Sequence, residues 1–192
     1  MIHTQSHVTE TSRLTAELHA FADSFPQQRD AIEEFTALLR DPLNPFVRER
    51  LSGHFTASCW LVEPKGERVL LTHHRKLDRW LQLGGHADGE SDLALAALKE
   101  AEEESGLSDL QVLPGIFDVD RHTIPARGAE PEHDHFDVRY VIVAMGSLTP
   151  TVSEESLDLA WCDITELAAD RSGDASMLRM AQRWLGLRDR WM

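Results

Sequence analysis

The chain has few of the residues that cross-link a small protein. Only two of its 192 residues are cysteines, Cys59 and Cys162, and each stands in an apolar, strand-like segment. Cysteines so few and so placed exclude a disulfide-rich scaffold and a zinc site built on cysteines, and they indicate a reducing compartment. A chain of this length can bury a core that needs no such cross-links.

Long apolar runs are also missing. No stretch of the sequence reaches the roughly 18 apolar residues of a membrane-spanning helix. The start, MIHTQSHVTE, has neither the basic region nor the apolar core of a secretory signal. We therefore expect no membrane association and a cytoplasmic location.

Basic residues are scarce beside acidic ones. The sequence has 19 Lys and Arg against 33 Asp and Glu, for a formal net charge of −14. Proteins that bind a nucleic acid backbone normally present a basic stripe, so such binding is not expected. A small phosphate ligand whose charge is neutralised by a metal ion fits this composition better.

What the chain does carry is a carboxylate-rich segment at residues 84–107, GGHADGESDLALAALKEAEEESGL. A helix is predicted from Asp92 to Ser105, with an apolar stripe along one side. Residues three and four apart are neighbours on a helix, so Glu100, Glu103 and Glu104 share one surface. Three such carboxylates repel one another unless a cation lies among them, and hard cations such as Mg²⁺ prefer oxygen ligands.

The same segment resembles the Nudix box, a family motif of glycines, glutamates and an arginine at fixed spacing. The positions that match it are Gly85, Glu100, Ala101, Glu103, Glu104, Gly106 and Leu107. Ser91 stands where the family has Glu, and Lys99 where it has Arg; in the family these two residues usually brace the loop against the helix. Glu90 is a candidate replacement for the missing acid, which leaves Lys99 without an evident partner in this segment.

The resemblance implies hydrolysis of a diphosphate linked to another moiety, by attack of water at phosphorus with Mg²⁺ or Mn²⁺ bound to the box glutamates. It implies that Glu103 and Glu104 are metal ligands and that Glu100 is a ligand or the general base. The carbonyl of Gly84 is the implied backbone ligand. Nucleoside triphosphates, ADP-ribose, dinucleoside polyphosphates and coenzyme-like diphosphates all stay open as substrates.

A second polar group lies further along the chain. His133, His135, Asp137 and Arg139 alternate along a predicted strand, so they share one of its faces. Our preferred interpretation is that they line the phosphate cleft; two histidines and a carboxylate can also bind a transition metal, and that alternative stays open. The residues expected to contact the substrate are His86, His133, His135, Asp137, Arg139 and Glu155. An acidic metal ligand from outside the box is also expected, with Glu155, Asp137 and Glu132 as candidates.

Periodicity divides the chain near residue 50. Apolar residues at helical spacing over residues 9–40, broken at Phe25-Pro26, predict a helical hairpin. We predict an N-terminal helical extension at residues 1–50, which forms a dimer contact or a lid, and a Nudix domain at 51–192. Strands are predicted at His54–Val62, Arg68–His73, Trp80–Leu83, Ile116–Ile124, Asp137–Ala144 and Leu157–Cys162, and further helices at Ile164–Ala168 and Ala175–Leu187.

This order of elements predicts an α/β (α+β) fold with a mixed sheet between helical layers, and the resemblance implies the Nudix α/β/α sandwich. Three other functions fit parts of the sequence. A Nudix-fold sensor would bind a nucleotide or nucleotide sugar without cleaving it, an isopentenyl diphosphate isomerase would need Cys59 as its catalytic cysteine, and an interaction module would rest on the helical extension. The intact glutamates favour the hydrolase.

Overall fold

The computed structural model describes residues 2–128, 130–154, 156–171 and 173–191. Its helices are α1 (Ile2–Ser24), α2 (Arg29–Arg40), α3 (Leu93–Ser105), α4 (Ile164–Ala169) and α5 (Ala175–Trp191), with a 3₁₀ turn at Pro26–Gln28 between the first two. Its strands are β1 (His54–Val62), β2 (Arg68–His74), β3 (Arg79–Leu81), β4 (Leu83–His86), β5 (Leu110–Val112), β6 (Asp118–Ile124), β7 (His133–Ala144) and β8 (Ser156–Asp163).

The strands form one mixed sheet. Its order is β3-β2-β1-β7-β5, with β4 also paired to β1, β6 to β7 and β8 to β2. The antiparallel β6 and β7 run in register from the pair Asp118 and Arg139 to the pair Ile124 and His133. All nine residues of β1 are buried, because this strand lies inside the sheet and both of its faces are covered.

Two compact units divide the chain. One consists of Met1–Ala57, Gly85–Ala96 and Gly115–Arg139, and the other of Ser58–Gly84, Ala97–Pro114 and Tyr140–Met192. The first unit therefore holds α1, α2, the loop before α3, β6 and the first half of β7. The second holds β2, β3, β5, β8, α4, α5 and most of α3.

Aromatic rings make up the core of the first unit. Phe35 lies on the apolar face of α2 and is completely buried. Its ring centroid is 6.0 Å from that of Phe55 on β1 and 5.2 Å from that of Phe136 on β7. Phe46, which follows the helices, stacks on Phe55 at 5.4 Å. The N-terminal helices and the two strands thus share one apolar core.

Two ion pairs join the N-terminal region to the loop that precedes α3. The guanidinium of Arg48 donates two hydrogen bonds to the carboxylate of Asp88, at 2.8 and 2.7 Å. Arg13 on α1 donates to Asp92 at 3.1 Å. Three of these four side chains are at least half exposed, so the pairs orient the loop more than they stabilise the fold.

In the second unit, α5 is held to the turn between β1 and β2. The side chain of Trp184 is completely buried, and its indole N–H donates to the carbonyl of Gly66 at 2.8 Å. Gly66 has a φ of +64°, and an added Cβ would lie 2.9 Å from Trp184 Cζ2. Glycine is therefore required here both by the backbone conformation and by the ring packed on it.

Most of the predicted elements are confirmed. The helical hairpin breaks at Pro26 as expected, and β1 has the predicted bounds. The segment predicted as one strand at Trp80–Leu83 is instead two short strands, β3 and β4, and β5 was not predicted. No helix in the described ranges combines the length and the apolar character needed to cross a membrane.

We predict that Phe35→Ala destabilises the protein by about 3–5 kcal/mol, because it removes a buried ring and leaves a cavity. The matched control is Leu43→Ala, whose side chain is 62% exposed and whose loss should change stability by at most about 0.5 kcal/mol. Urea unfolding measures both. Equal effects of the two substitutions would show that the N-terminal helices do not share the core.

Candidate active site

Helix α3 begins and ends at residues that the sequence specifies. Asp92 caps its start, since its Oδ1 accepts hydrogen bonds from the backbone N–H groups of Ala94 and Leu95 at 3.1 and 3.2 Å. Gly106 ends the helix with a φ of +66°, and its N–H donates to the carbonyl of Glu102 at 2.9 Å. The glutamates between these caps are thereby held on a regular helix.

Ser91 and Lys99, the two departures from the family motif, and Glu90 beside the first have defined surroundings. Glu90 accepts a hydrogen bond from the backbone N–H of Asp92 at 2.9 Å, so its carboxylate shapes the turn before the helix. Ser91 is buried. The expectation that Lys99 lacks a partner is wrong, because its Nζ lies 3.7 Å from Glu103 Oε1. This exposed pair is worth a few tenths of a kcal/mol at most, on the order of other such helix pairs.

The three box glutamates lie in graded surroundings. Glu104 is buried, Glu100 is half-buried, and the side chain of Glu103 is 58% exposed. Their spacing on α3 places them on one face that passes from solvent to the interior. All three donors are carboxylate oxygens, which are the ligands that Mg²⁺ and Mn²⁺ prefer.

Gly84 lies on β4 against β1. A Cβ added to Gly84 would overlap the side chain of Ser58 and lie 2.6 Å from its Cα. Only glycine fits this close approach of two strands. Packing therefore requires glycine at position 84, the residue whose carbonyl the family resemblance gives as a backbone ligand. Gly84 has no side chain that could cover this carbonyl.

Five histidines gather in the first unit: His54, His86, His122, His133 and His135. The His54 ring centroid lies 5.2 Å from that of His86, 5.2 Å from that of His133 and 5.0 Å from that of His135. The His122 centroid is 5.4 Å from that of His135. Two of the expected substrate contacts, His133 and His135, have ring centroids 5.1 Å apart, and the centroid of His86 lies 5.0 Å from that of His135.

Sequence reasoning missed the part played by His54, which it treated only as the first residue of a strand. Along β1 the polar residues His54 and Thr56 alternate with apolar Phe55 and Ala57, and this period-two pattern was the available signal.

Burial keeps several of these imidazoles neutral. Removal from water is the main cause that lowers the pKa of His86 to about 4 and the pKa of His135 to about 3. The pKa of His54 is lowered for the same reason. These three rings are therefore uncharged near neutral pH and offer a nitrogen lone pair.

Asp137 and Arg139 belong to a buried ion-pair network. Asp137 and Asp118 are completely buried and Arg139 is 2% exposed. Arg139 donates to Asp137 at 2.7 Å and to Asp118 at 3.1 Å, and it lies 3.3 Å from Asp120. Thr56 donates to the second oxygen of Asp137 at 3.1 Å. Burial by itself lowers the pKa of Arg139, but the three carboxylates outweigh it and hold the pKa above its usual value.

The remaining candidates fall elsewhere. Glu132 is exposed on the segment before β7. Glu155 lies outside the described residues. An acidic ligand from outside the box, and substrate contacts by any of the residues expected to make them, stay predictions.

Comparison with known proteins places this geometry in a family. The NUDIX domain model matches residues 53–182, which is more than half of the chain. The chain therefore belongs to the Nudix family, and the Nudix-type fold expected from the resemblance is confirmed. No curated protein matches the chain.

Solved structures with the same fold include several hydrolases. A NUDIX-family hydrolase from Clostridium perfringens is 26% identical, with a TM-score of 0.50 over 70% of this chain and 97% of that one. An Ap4A hydrolase from C. elegans, in a binary complex, is 16% identical, with a TM-score of 0.56 over 70% of this chain and 97% of that one. A UDP-X diphosphatase is 18% identical, with a TM-score of 0.52 over 95% of this chain and 96% of that one.

We predict that Arg139→Leu destabilises the protein by about 3–5 kcal/mol, because it leaves buried carboxylates without their counter-charge. The control is Arg121→Leu, whose guanidinium pairs with Glu34 and Asp134 while 43% exposed; a loss of about 1 kcal/mol or less is expected there. Urea unfolding in the absence of substrate is the measurement. If Arg139→Leu unfolds like the wild type, the network is not structural.

Proposed function

We propose that this protein is a divalent-metal-dependent pyrophosphohydrolase that cleaves the diphosphate of a nucleoside diphosphate linked to another moiety. The observation that carries the proposal is the face of α3 formed by Glu100, Glu103 and Glu104, which lies within the segment matched by the family model. Family membership supports the hydrolase class, and the three glutamates support metal-dependent cleavage.

The donor set suits Mg²⁺ or Mn²⁺. Three carboxylates on one helix face, with the backbone carbonyl of Gly84 as a further oxygen donor, offer only hard ligands. Such a group is unfavourable without a cation, since like charges three and four residues apart on a helix repel one another. We assign Glu103 and Glu104 as ligands and Glu100 as ligand or general base.

Hydrolysis needs a group that accepts a proton from the attacking water and a cation that neutralises the negative charge of the diphosphate. A divalent cation, when bound, neutralises the diphosphate, lowers the pKa of the attacking water and stabilises the leaving oxygen. The water oxygen forms a bond to phosphorus while the bond from that phosphorus to the bridging oxygen breaks. The water proton passes to a carboxylate, for which half-buried Glu100 is our choice, and both products leave with a terminal phosphate.

The substrate class rests on the solved relatives. An Ap4A hydrolase, a dihydroneopterin triphosphate pyrophosphohydrolase and a UDP-X diphosphatase share the fold. Their names all describe compounds with phosphoanhydride bonds, and the UDP-X diphosphatase matches nearly the whole chain. UDP-linked compounds are therefore the first substrates to test, with Ap4A, ADP-ribose and a nucleoside triphosphate beside them.

The proposed substrate contacts stay His86, His133, His135, Asp137, Arg139 and, outside the described residues, Glu155. A homodimer through the N-terminal helices also stays a proposal. Deleting those helices is a poor test of it, because deletion would remove Phe35 from the core that it shares with Phe55. Light scattering of the intact chain tests the dimer directly.

We predict that Glu103→Gln and Glu104→Gln each lower Mg²⁺-dependent turnover by about 10²-fold or more, since each removes a charged oxygen donor and the substitution keeps the shape of the side chain. Glu102→Gln is the matched control, because Glu102 is exposed on the same helix turn and outside the carboxylate face. Phosphate or nucleotide release from the substrate panel, with Mg²⁺ and with Mn²⁺, measures the effect.

Two results would oppose the proposal. Turnover that is reduced equally in Glu102→Gln would show that total helix charge matters and the carboxylate face does not. Binding of a nucleotide or nucleotide sugar without turnover across the panel would favour a Nudix-fold sensor over the hydrolase.

A further inference from the structure

The histidine cluster contains a nitrogen that the fold leaves unused. His54 is 1% exposed, and its Nδ1 lies 3.3 Å from the backbone carbonyl of Arg50. A carbonyl can only accept, so Nδ1 carries the proton and Nε2 keeps its lone pair. Among the described residues this buried Nε2 has no hydrogen-bond partner. Burial of an unsatisfied polar atom is unfavourable, so a ligand at this nitrogen would stabilise the fold.

His133 is oriented in the same way. It is 5% exposed, and its Nδ1 lies 2.9 Å from the carbonyl of Pro131. That carbonyl likewise fixes the proton on Nδ1 and leaves Nε2 as an acceptor. A metal-bound histidine almost always donates its outer N–H to a carboxylate, a backbone carbonyl or a water, because that bond fixes the tautomer and leaves the other nitrogen for the metal.

Three imidazole nitrogens come together at this point. His133 Nε2 is 3.2 Å from His135 Nε2. Ligand nitrogens of His54, His133 and His135 all lie within 4.8 Å of one another. Two nitrogens bound tetrahedrally to zinc at about 2.0–2.1 Å are about 3.3 Å apart, which matches the observed pair.

The alternative is a set of packed histidines that satisfy one another. His135 Nε2–H can donate to His133 Nε2, which accounts for one close contact. It gives no partner to His54 Nε2 and does not explain why two rings present the same nitrogen inward. Coordination of one ion by all three rings accounts for the close contact, for the unsatisfied nitrogen and for the shared orientation of His54 and His133.

We propose that His54, His133 and His135 form a binding site for one transition-metal ion of the Zn²⁺ type. Imidazole nitrogens suit Zn²⁺, whereas Mg²⁺ prefers oxygen, so the site differs in chemistry from the glutamates of α3. The ion joins the first residue of β1 to the first and third residues of β7. A water completes the coordination, or the carboxylate of Glu130 does, whose Oε1 lies 3.8 Å from His133 Nε2.

This proposal does not rest on the hydrolase proposal, and its test is a binding measurement. The protein is prepared without a polyhistidine tag and freed of metal by dialysis against a chelator. The starting protein carries Glu103→Gln and Glu104→Gln, which removes the carboxylate site. Zn²⁺ affinity is then measured by competition with a chromophoric chelator, and the visible spectrum of the Co²⁺ form reports the ligand geometry.

We expect one equivalent of Zn²⁺ to bind, with a Co²⁺ spectrum typical of four-coordinate nitrogen ligation. His54→Asn and His133→Asn should each weaken binding by at least about 100-fold, more than the loss of an outer partner would. His19→Asn is the control, because His19 is exposed on α1, and it should bind as the starting protein does. Circular dichroism of each metal-free variant checks that it is folded.

Two results would overturn the proposal. The first is Zn²⁺ binding that His54→Asn and His133→Asn change no more than His19→Asn does. The second is Zn²⁺ binding with a Kd of about 0.1 mM or weaker in the folded starting protein. The Co²⁺ spectrum is recorded on the starting protein, in which His54, His133 and His135 are intact. The proposal can therefore still be tested if a histidine variant fails to fold.

Discussion

The guanidinium of Arg139 is the group on which the first unit depends most. It lies on β7 with almost no exposure and is surrounded by Asp137, Asp118 and Asp120. Each of these carboxylates would be very unfavourable in the interior alone. One planar cation with five donors satisfies several of them at once, and because its partners lie on β6 and β7 it also fixes the register in which those two strands pair.

That register has consequences along both strands. A shift of one residue would turn every side chain of β7 to the opposite face. His133 and His135 would then leave the cluster, and Phe136 would leave the ring of Phe35. The Arg139 network, the aromatic core and the histidine cluster therefore depend on the same register, with Arg139 at one end of the strand pair and His133 at the other.

Local pattern predicted much of the fold, and the reasons for its failures are physical. The alternation in β1 and the break at Pro26 are strong local signals, and both elements lie where they were expected. The three residues of β5 are too few to show a period, and its formation depends on pairing with β7. In the site, the glutamates follow from helical spacing. The cluster around His54 does not, because alternation along β1 predicts only that His54 and Thr56 share one face of the strand, and the rings that His54 contacts depend on which strand lies beside it.

The core around Phe35 matters for how the protein is divided in the laboratory. The family model begins at residue 53, yet the rings of Phe55 and Phe136 pack against Phe35, well before that point. A fragment cut at the family limit would present these two rings to water. Such a patch favours self-association, so insolubility of that fragment would reflect the choice of boundary and would carry no information about the intact chain.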